Sequence, residues 1–395
     1  MSAVALGCGI AGLLGLAAAA ASASGSPLSP GWSEHSDLPS AVFLAASAAA
    51  FVLYALGLYL GRRRKTGLAA VCAVAAAVQL VPLAGPLLLS RDVYAYWAYG
   101  REVTRHDANP YAVAPARFAA DPATRAMAGA WRAGHTVYGP AFSATSAGLA
   151  AATGRSAETS AFTYRLLGAL GVLTAVALAA LAAPASSFAA AFVGWNPLLA
   201  LDFAGGGHND VWMAVFVLAG IALTRRRPGL AGASWALAAG LKWVPLALLP
   251  FDLVRAGRRE ARRSTVGFLV CAVAIAGGAL VLFGTAWLGA LLPFAHRRSA
   301  YALPSRLGEL GLPGWAAASL AAAPLAVALP WLVRSARRGR PRLGVTTILL
   351  LAASPWVLPW YAVWAVPLAA VEEDRLGWLL ALGLCAYLLP DRVPV

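Results

Sequence analysis

Asp92 has the residue type and position most suggestive of chemistry in this chain. It follows the third hydrophobic run, in the string Ser90-Arg91-Asp92-Val93-Tyr94, and begins a polar loop over residues 90–137. A carboxylate at a membrane boundary, beside an aromatic and arginine-bearing loop, could act as general base for a sugar hydroxyl. The alternative is that Asp92 only caps the helix that follows it.

A glycine-rich string is the second place where chemistry is expected: Gly205-Gly206-Gly207-His208-Asn209-Asp210. Glycines let a backbone approach a ligand closely, and the amides that begin the following helix favour an anion. We therefore expect His208, Asn209 and Asp210 to position a substrate, although Asp210 could simply cap the helix. A divalent metal on His208, Asp210 and nearby Asp202 is an alternative, but two ligands so close in sequence are a weak indication. No cofactor is predicted.

Basic residues could hold a phosphate group, which arginine and lysine bind well. The candidates are Lys242, Arg297, Arg298 and Arg306. Lys242 lies in an apolar stretch, where a lysine is costly and therefore usually functional. The alternative is that Lys242 pairs with a carboxylate inside the helix bundle.

The composition determines the class of protein that must position these residues. Of the 395 residues, 60% are hydrophobic and only 12% are charged, and the mean hydropathy is +0.70. Apolar runs long enough to cross a bilayer recur along the chain, and backbone groups in lipid must bond internally. We predict an all-α polytopic membrane protein forming a single domain over residues 1–395, with about 11–13 membrane segments.

The net charge of +15 does not indicate nucleic-acid binding, because more than half of the 31 Lys and Arg residues lie in four short clusters between apolar runs. The clusters are Arg62–Lys65, Arg225–Arg227, Arg255–Arg263 and Arg334–Arg342. This pattern marks cytoplasmic loops that contact anionic lipids. It therefore predicts that loops 90–137 and 285–311 lie on the extracytoplasmic side. An aromatic helix at the membrane surface is expected after Asp92.

Several apolar stretches cannot be simple crossings. Residues 229–251 are flanked by arginines on both sides, so we predict two half-spans that meet at Lys242-Trp243-Val244-Pro245, where the proline breaks the helix. Residues 343–371 should also enter and leave on one face, with an apex at Ser354–Tyr361. Either 139–153 or 185–203 should be re-entrant or lie along the membrane interface. The first apolar run, 3–24, is interpreted as an uncleaved span.

Short strings along the chain resemble those of one known family. They are Ser90-Arg91-Asp92-Val93-Tyr94, Tyr99-Gly100-Arg101, Asn109-Pro110-Tyr111, Tyr138-Gly139-Pro140, Trp195-Asn196-Pro197, Gly205-Gly206-Gly207-His208-Asn209-Asp210 and Pro359-Trp360-Tyr361. In this order they resemble the actinobacterial polyprenol-phosphomannose-dependent α-1,6-mannosyltransferases of the GT-C superfamily. The likeness extends from about residue 60 to residue 371, which leaves 1–60 as extra N-terminal spans.

The resemblance implies a GT-C fold in the plasma membrane and an extracytoplasmic active site. The donor would be a polyprenyl-phosphate sugar, with mannose as the hexose, and the acceptor an α-1,6-mannan chain of a cell-envelope lipoglycan. The superfamily's first acidic residue maps onto Asp92, as general base, and its second acidic motif onto His208-Asn209-Asp210. The implied substrate-binding set is Arg91, Tyr138, His208, Asn209, Asp210, Lys242, Arg297, Arg298, Trp360 and Tyr361.

Three alternatives remain open at this point. A GT-C enzyme for another sugar would use the same residues. A transporter or flippase for a lipid-linked sugar would share the broken spans and basic sites, but would not need Asp92. A non-catalytic scaffold of envelope synthesis would tolerate loss of both Asp92 and Lys242.

Overall fold

The computed structural model describes residues 2–23, 26, 37–63, 66–291 and 297–390, and throughout these ranges every regular element is a helix. The first ten α-helices are α1 Ala3–Ser22, α2 Asp37–Arg63, α3 Leu68–Leu80, α4 Asp92–His106, α5 Pro122–Ala126, α6 Gly129–Arg132, α7 Pro140–Thr153, α8 Ala157–Ala182, α9 Ser186–Gly194 and α10 Pro197–Leu199. The others are α11 Asp210–Leu223, α12 Pro228–Leu241, α13 Pro245–Arg255, α14 Arg258–Phe283, α15 Leu303–Glu309, α16 Gly314–Arg337, α17 Leu343–Ala353, α18 Ala362–Glu372 and α19 Arg375–Leu388. Arg64, Lys65 and positions 292–296 of the second predicted loop lie outside the described residues.

Five of these helices are long and apolar enough to cross a bilayer: α1, α2, α8, α14 and α16. A sixth candidate is the bent pair formed by α9 and residues 197–205. The prediction of a polytopic all-α membrane protein is therefore confirmed. The predicted 11–13 segments exceed this number because they also include shorter apolar helices, such as α11, α17 and α19, which fall below the length of a full crossing.

The chain bends by 46° between α9 and α10, at the string Trp195-Asn196-Pro197. Pro197 interrupts the helix, and Asn196 restarts it, because its side-chain oxygen accepts from the amides of Leu198 and Leu199. Gln79 of α3 donates to the carbonyls of Gly194 and Asn196 on either side of the break, and so ties the bent segment to α3. Of the two segments that could be re-entrant, 139–153 and 185–203, the bent one is therefore 185–203.

A second break separates α12 from α13 at Lys242, whose backbone is extended. Gly232 packs against Ser264 and Gly240 against Ile275, so α12 and α14 run in the same direction. The residues between them must return the chain to the end of the bundle where α12 began. This is the arrangement that the flanking arginines predicted for residues 229–251.

Helices α17 and α18 form a similar hairpin. The amides of Leu343 and Gly344, at the start of α17, donate to the carboxylate of Glu372 at the end of α18. The segment therefore begins and ends on the same side, as predicted, and its apex carries the short 3-10 helix Pro359–Tyr361. The apex is tied to the second loop, since Ser299 Oγ donates to the Val357 carbonyl at 2.6 Å.

The predicted outer loop, 90–137, contains α4, α5 and α6, and α4 differs from expectation in its packing. Tyr96, Trp97 and Tyr99 are buried within the protein, so the prediction that the α4 aromatics lie at the membrane surface is wrong. Gly100 explains the close packing, because a Cβ there would overlap the backbone of Ser146 in α7. Helix α4 is held as a rigid part of the bundle, and its first residue is Asp92.

Candidate active site

Asp92 begins α4, but its carboxylate does not cap that helix. The N-cap position is Arg91, which makes no capping hydrogen bond, and the Asp92 amide donates to Ser90 Oγ at 3.1 Å. Asp92 Oδ2 lies 3.6 Å from His208 Nδ1, and the side chain is 16% exposed. The alternative that Asp92 is only a helix cap is therefore wrong, and its carboxylate remains partly accessible.

His208 is held rigidly by the glycine-rich string before it. Gly207 has a φ of +72°, and a Cβ there would overlap Val93 of α4. The imidazole of His208 stacks on the Trp360 ring, with the two centroids 3.5 Å apart and the planes 13° apart. Burial, and then the charge of Lys242, hold the pKa of His208 well below its usual value. His208 is thus a neutral imidazole beside Asp92.

Asp210 and Lys242 form a buried ion pair. Lys242 Nζ donates to Asp210 Oδ1 at 2.5 Å, and Trp364 Nε1 donates to the same oxygen at 2.8 Å. The Lys242 ammonium also lies 4.4 Å from the centroid of the Tyr361 ring. Asn209 is the N-cap of α11, without a capping hydrogen bond, so Asp210 is not a plain cap either. The structure favours the alternative that Lys242 is paired within the bundle.

The environment of Asp92 changes its acidity. Burial, and then the charge of Asp210, raise the pKa of the Asp92 carboxyl to about 6, although Lys242 and the hydrogen bond from Ser90 oppose the shift. A carboxylate of this acidity is mostly ionised at neutral pH yet accepts a proton more readily than an ordinary aspartate. These are the properties required of a general base.

Several buried polar atoms in the glycine-rich string, and one of Asp202 just before it, have no hydrogen-bond partner within the described residues. They are Asp202 Oδ2, His208 Nδ1, Asn209 Oδ1 and Asp210 Oδ2. Buried polar atoms in native proteins are almost always hydrogen-bonded. A run of unpaired oxygen and nitrogen atoms beside Asp92 therefore suits a polar ligand with many hydroxyl groups.

Aromatic rings form one wall near Asp92. The rings of Tyr138 and Tyr96 meet edge to face, with centroids 5.1 Å apart, and both pack on Phe142 of α7. Burial, and then the negative charge of Asp92, raise the pKa of the Tyr138 hydroxyl well above its usual value. Tyr138, Trp360 and Tyr361 thus lie close to Asp92 and to the Asp210–Lys242 pair.

The predicted basic residues of the second loop are not brought into this cluster by any described contact. The Arg297 guanidinium lies 4.3 Å from the Trp131 ring centroid and 5.9 Å from that of Trp356. Arg298 is exposed, and Arg306 pairs with Glu309 at 3.1 Å. Arg91 is partly exposed at the start of α4. Arg297 contacts the two tryptophan rings and has no carboxylate partner among the described residues.

Sequence reasoning missed two residues that build the site. Trp364 supplies the second hydrogen bond to Asp210. Arg165 of α8 is buried, donates to the carbonyls of Ala204 and Pro82, and thereby fixes the start of the glycine-rich string. An arginine inside an apolar run was a usable signal for Arg165, because such a charge must find partners. The partner of Asp210 had no comparable signal.

No group of three His, Cys, Asp or Glu side chains in the described ranges is arranged to hold a metal ion. Asp210 Oδ1 is taken by the Lys242 ammonium and the Trp364 N–H, and the Asp92 carboxylate faces His208. The cation nearest to these carboxylates is thus one the protein supplies itself.

A partly accessible carboxylate, a neutral histidine and a buried ion pair, gathered among apolar helices, define a polytopic membrane protein with a polar site. The sequence family described as alpha-(1->6)-mannopyranosyltransferase, N-terminal domain, matches residues 3–258. The chain belongs to that family. The matched region contains Asp92, the glycine-rich string and Lys242, but not Trp360 or Tyr361.

Two curated relatives are similar over most of this chain. It is 28% identical over 351 residues to alpha-(1->6)-mannopyranosyltransferase B of Corynebacterium glutamicum, covering 76% of this chain and 58% of the relative. It is 26% identical over 383 residues to an alpha-(1->6)-mannopyranosyltransferase of Mycobacterium tuberculosis, covering 76% of this chain and 65% of the relative. The chain thus spans less than two thirds of either relative. No solved structure matches it, so the GT-C fold stays a prediction.

Proposed function

We propose that this protein transfers mannose from a polyprenyl-phosphate donor to an α-1,6-mannan acceptor at the outer face of the plasma membrane. One observation carries the proposal. The Asp92 carboxylate is free of any capping role, partly accessible, and adjacent to the unpaired polar atoms of His208, Asn209 and Asp210. The activities for which the two relatives are named support the transferred sugar and the linkage.

The proposed reaction is a direct displacement. Asp92 takes the proton of the acceptor hydroxyl while that oxygen forms a bond to C1 of the mannosyl group. The bond between C1 and the phosphate oxygen breaks, and its electron pair leaves with the lipid phosphate. A β-linked donor would give an α-linked product by inversion. The raised pKa of Asp92, about 6, suits this proton transfer.

The remaining groups position the two substrates. His208 and Asn209 offer buried polar atoms for sugar hydroxyls, with the ring of Trp360 behind His208. The positive charge of Lys242 is partly neutralised by Asp210, so the main role of Lys242 is to hold Asp210 in place. The unneutralised charges of Arg297, and of Arg298 next to it, are the better partners for the departing phosphate. Such charge stabilisation and positioning can account for much of the rate.

The proposed donor is a lipid because the site lies on a membrane-embedded bundle. The arginine clusters at the starts of α12 and α14 would face the cytoplasm, and the break at Lys242 and the apex at Pro359–Tyr361 would then lie towards the opposite leaflet. The sequence has no Walker or dinucleotide-binding motif that would indicate a nucleotide-activated donor.

The test is a transfer assay with the purified full chain. Labelled mannose on polyprenyl phosphate and a short α-1,6-mannoside should give an elongated, alkali-stable product, whereas GDP-mannose in place of the lipid donor should give none. Transfer of a different sugar, but not mannose, from a panel of polyprenyl-phosphate donors would overturn the sugar assignment. If the protein moves the lipid-linked sugar across a vesicle membrane but transfers sugar from none of the donors, the transporter alternative would be favoured.

A further inference from the structure

A groove of about 1030 Å³ lies between α12 and α14, away from the candidate active site. One end is lined by the basic residues Arg227, Arg259, Arg262 and Arg263. The walls beyond them are apolar, and include Ala233 of α12. The mannosyl transfer proposed above uses none of these residues.

The separation of charge and apolar surface follows from the direction of the two helices. Gly232 meets Ser264 and Gly240 meets Ile275, so α12 and α14 run side by side in the same direction. Their basic first turns therefore lie at the same end of the groove, and their apolar turns, with Val266 and Val270, lie further along the two helices. The groove has a charged mouth and a hydrocarbon-compatible floor.

The charge at the mouth is not neutralised by the protein. Elsewhere the arginines of the basic clusters are partly paired, as Arg255 is with Asp252 and Arg342 with Asp374. None of the four arginines of the groove has an ion-pair partner in the part of the chain that the structure describes. Four like charges held together repel one another, so the site favours an anionic ligand.

We propose that this groove binds an anionic glycerophospholipid, with its phosphate among the four arginines and one acyl chain along the apolar wall. Arginine forks bind phosphate oxygens bidentately, and basic pockets between transmembrane helices on the cytoplasmic side hold anionic lipid headgroups. The apolar wall selects a ligand with a hydrocarbon chain over a soluble phosphate. Val266 and Val270 are more than half exposed, which leaves them free to contact that chain.

The first experiment removes the charge. The full chain is placed in neutral phosphatidylcholine nanodiscs, and retained phosphatidylglycerol is measured by native mass spectrometry. The variant Arg259→Gln/Arg262→Gln/Arg263→Gln should bind phosphatidylglycerol more weakly, by about fivefold for each arginine removed. The matched control, Arg337→Gln/Arg338→Gln/Arg340→Gln, removes three exposed arginines of another basic cluster, and should bind as the unaltered protein does. Equal losses in the two variants would show only general attraction to the surface and would overturn the proposal.

The second experiment fills the groove and keeps its charge. Ala233→Phe places a ring on the apolar wall, so phosphatidylglycerol binding should fall while all four arginines remain. Unchanged binding would exclude an acyl chain from the groove. Displacement of the lipid by excess glycerol phosphate would identify a soluble anion site, and an equal preference for phosphatidylcholine would show that the arginines do not select the headgroup. Each of these results would also overturn the proposal.

Discussion

Lys242 Nζ and Asp210 Oδ1 lie 2.5 Å apart, where the break after α12 meets the start of α11. Trp364 donates to the same carboxylate oxygen from α18. The start of α11, the break after α12 and helix α18 thus meet at the buried carboxylate of Asp210. This pair sets the position of Asp210, and the charge of Asp210 in turn contributes to the raised pKa of Asp92.

Removing one partner of the pair should destabilise the protein strongly. Lys242→Met leaves the Asp210 charge buried and unpaired, a change that typically costs about 3–5 kcal/mol. We expect a clear fall in the melting temperature of the detergent-purified variant. The double variant Lys242→Met/Asp210→Asn removes both charges and should recover much of that loss. If the two variants melt at the same temperature, the pair does not stabilise the fold.

The activity should depend on pH through Asp92. Its pKa of about 6 lies above the ordinary value, so the base is protonated and inactive in acid and ionised in neutral solution. The rate should rise about tenfold per pH unit below that pKa and level off above it. Steady-state transfer rates from about pH 5 to about pH 8 provide the measurement. A rate that does not change across this range would contradict the assignment of Asp92.

Glu102 offers a prediction about stability, away from the proposed chemistry. It is buried in α4, neither carboxyl oxygen has a described hydrogen-bond partner, and burial, helped by Asp121, raises its pKa to about 8. The folded protein therefore holds a proton that the unfolded chain releases above about pH 4.3, so the stability falls as the pH rises from about 4.3 to about 8 and then levels off. Glu102→Gln stays neutral, so its melting temperature should fall less than that of the unaltered protein between acidic and alkaline buffer. Parallel melting curves would show that Glu102 is already ionised.

Chelators should leave the transferase activity unchanged. The Lys242 ammonium binds Asp210 Oδ1, and its positive charge repels a second cation at that carboxylate. We expect equal transfer rates with and without EDTA, after extensive dialysis. A loss that added magnesium or manganese restores would contradict this and would support the metal alternative at His208 and Asp210.

Sequence reasoning selected the residues of the candidate site but did not predict which of them pair with one another. Its place at a membrane boundary selected Asp92, the glycine-rich string selected Asp210, and the cost of a charge in an apolar stretch selected Lys242. The flanking arginines predicted the break at Lys242. The sequence could not show that Lys242 pairs with Asp210, because the pair joins α11 to α12 through packing. For the same reason it could not show that Trp364 completes the pair.

The packing of α4 shows a similar limit. Its aromatic residues predict a helix at a membrane interface, since Tyr and Trp favour the headgroup region. In the structure the same rings fill the space between α4, α7 and α8, as Tyr96 does against Phe142 and Tyr164. Hydrophobic pattern alone does not distinguish burial in lipid from burial in protein. The close approach that Gly100 permits decides between them.

The measurement that tests the central claim most directly compares Asp92→Asn with Asp107→Asn in the mannose transfer assay. Both lie in the same predicted outer loop, and the control is exposed, with a left-handed backbone that asparagine adopts readily. With both variants folded, as shown by their melting temperatures, Asp92→Asn should lose activity by about a hundredfold or more, and Asp107→Asn should keep it. Transfer by Asp92→Asn at close to the unaltered rate would contradict the role of Asp92 as general base.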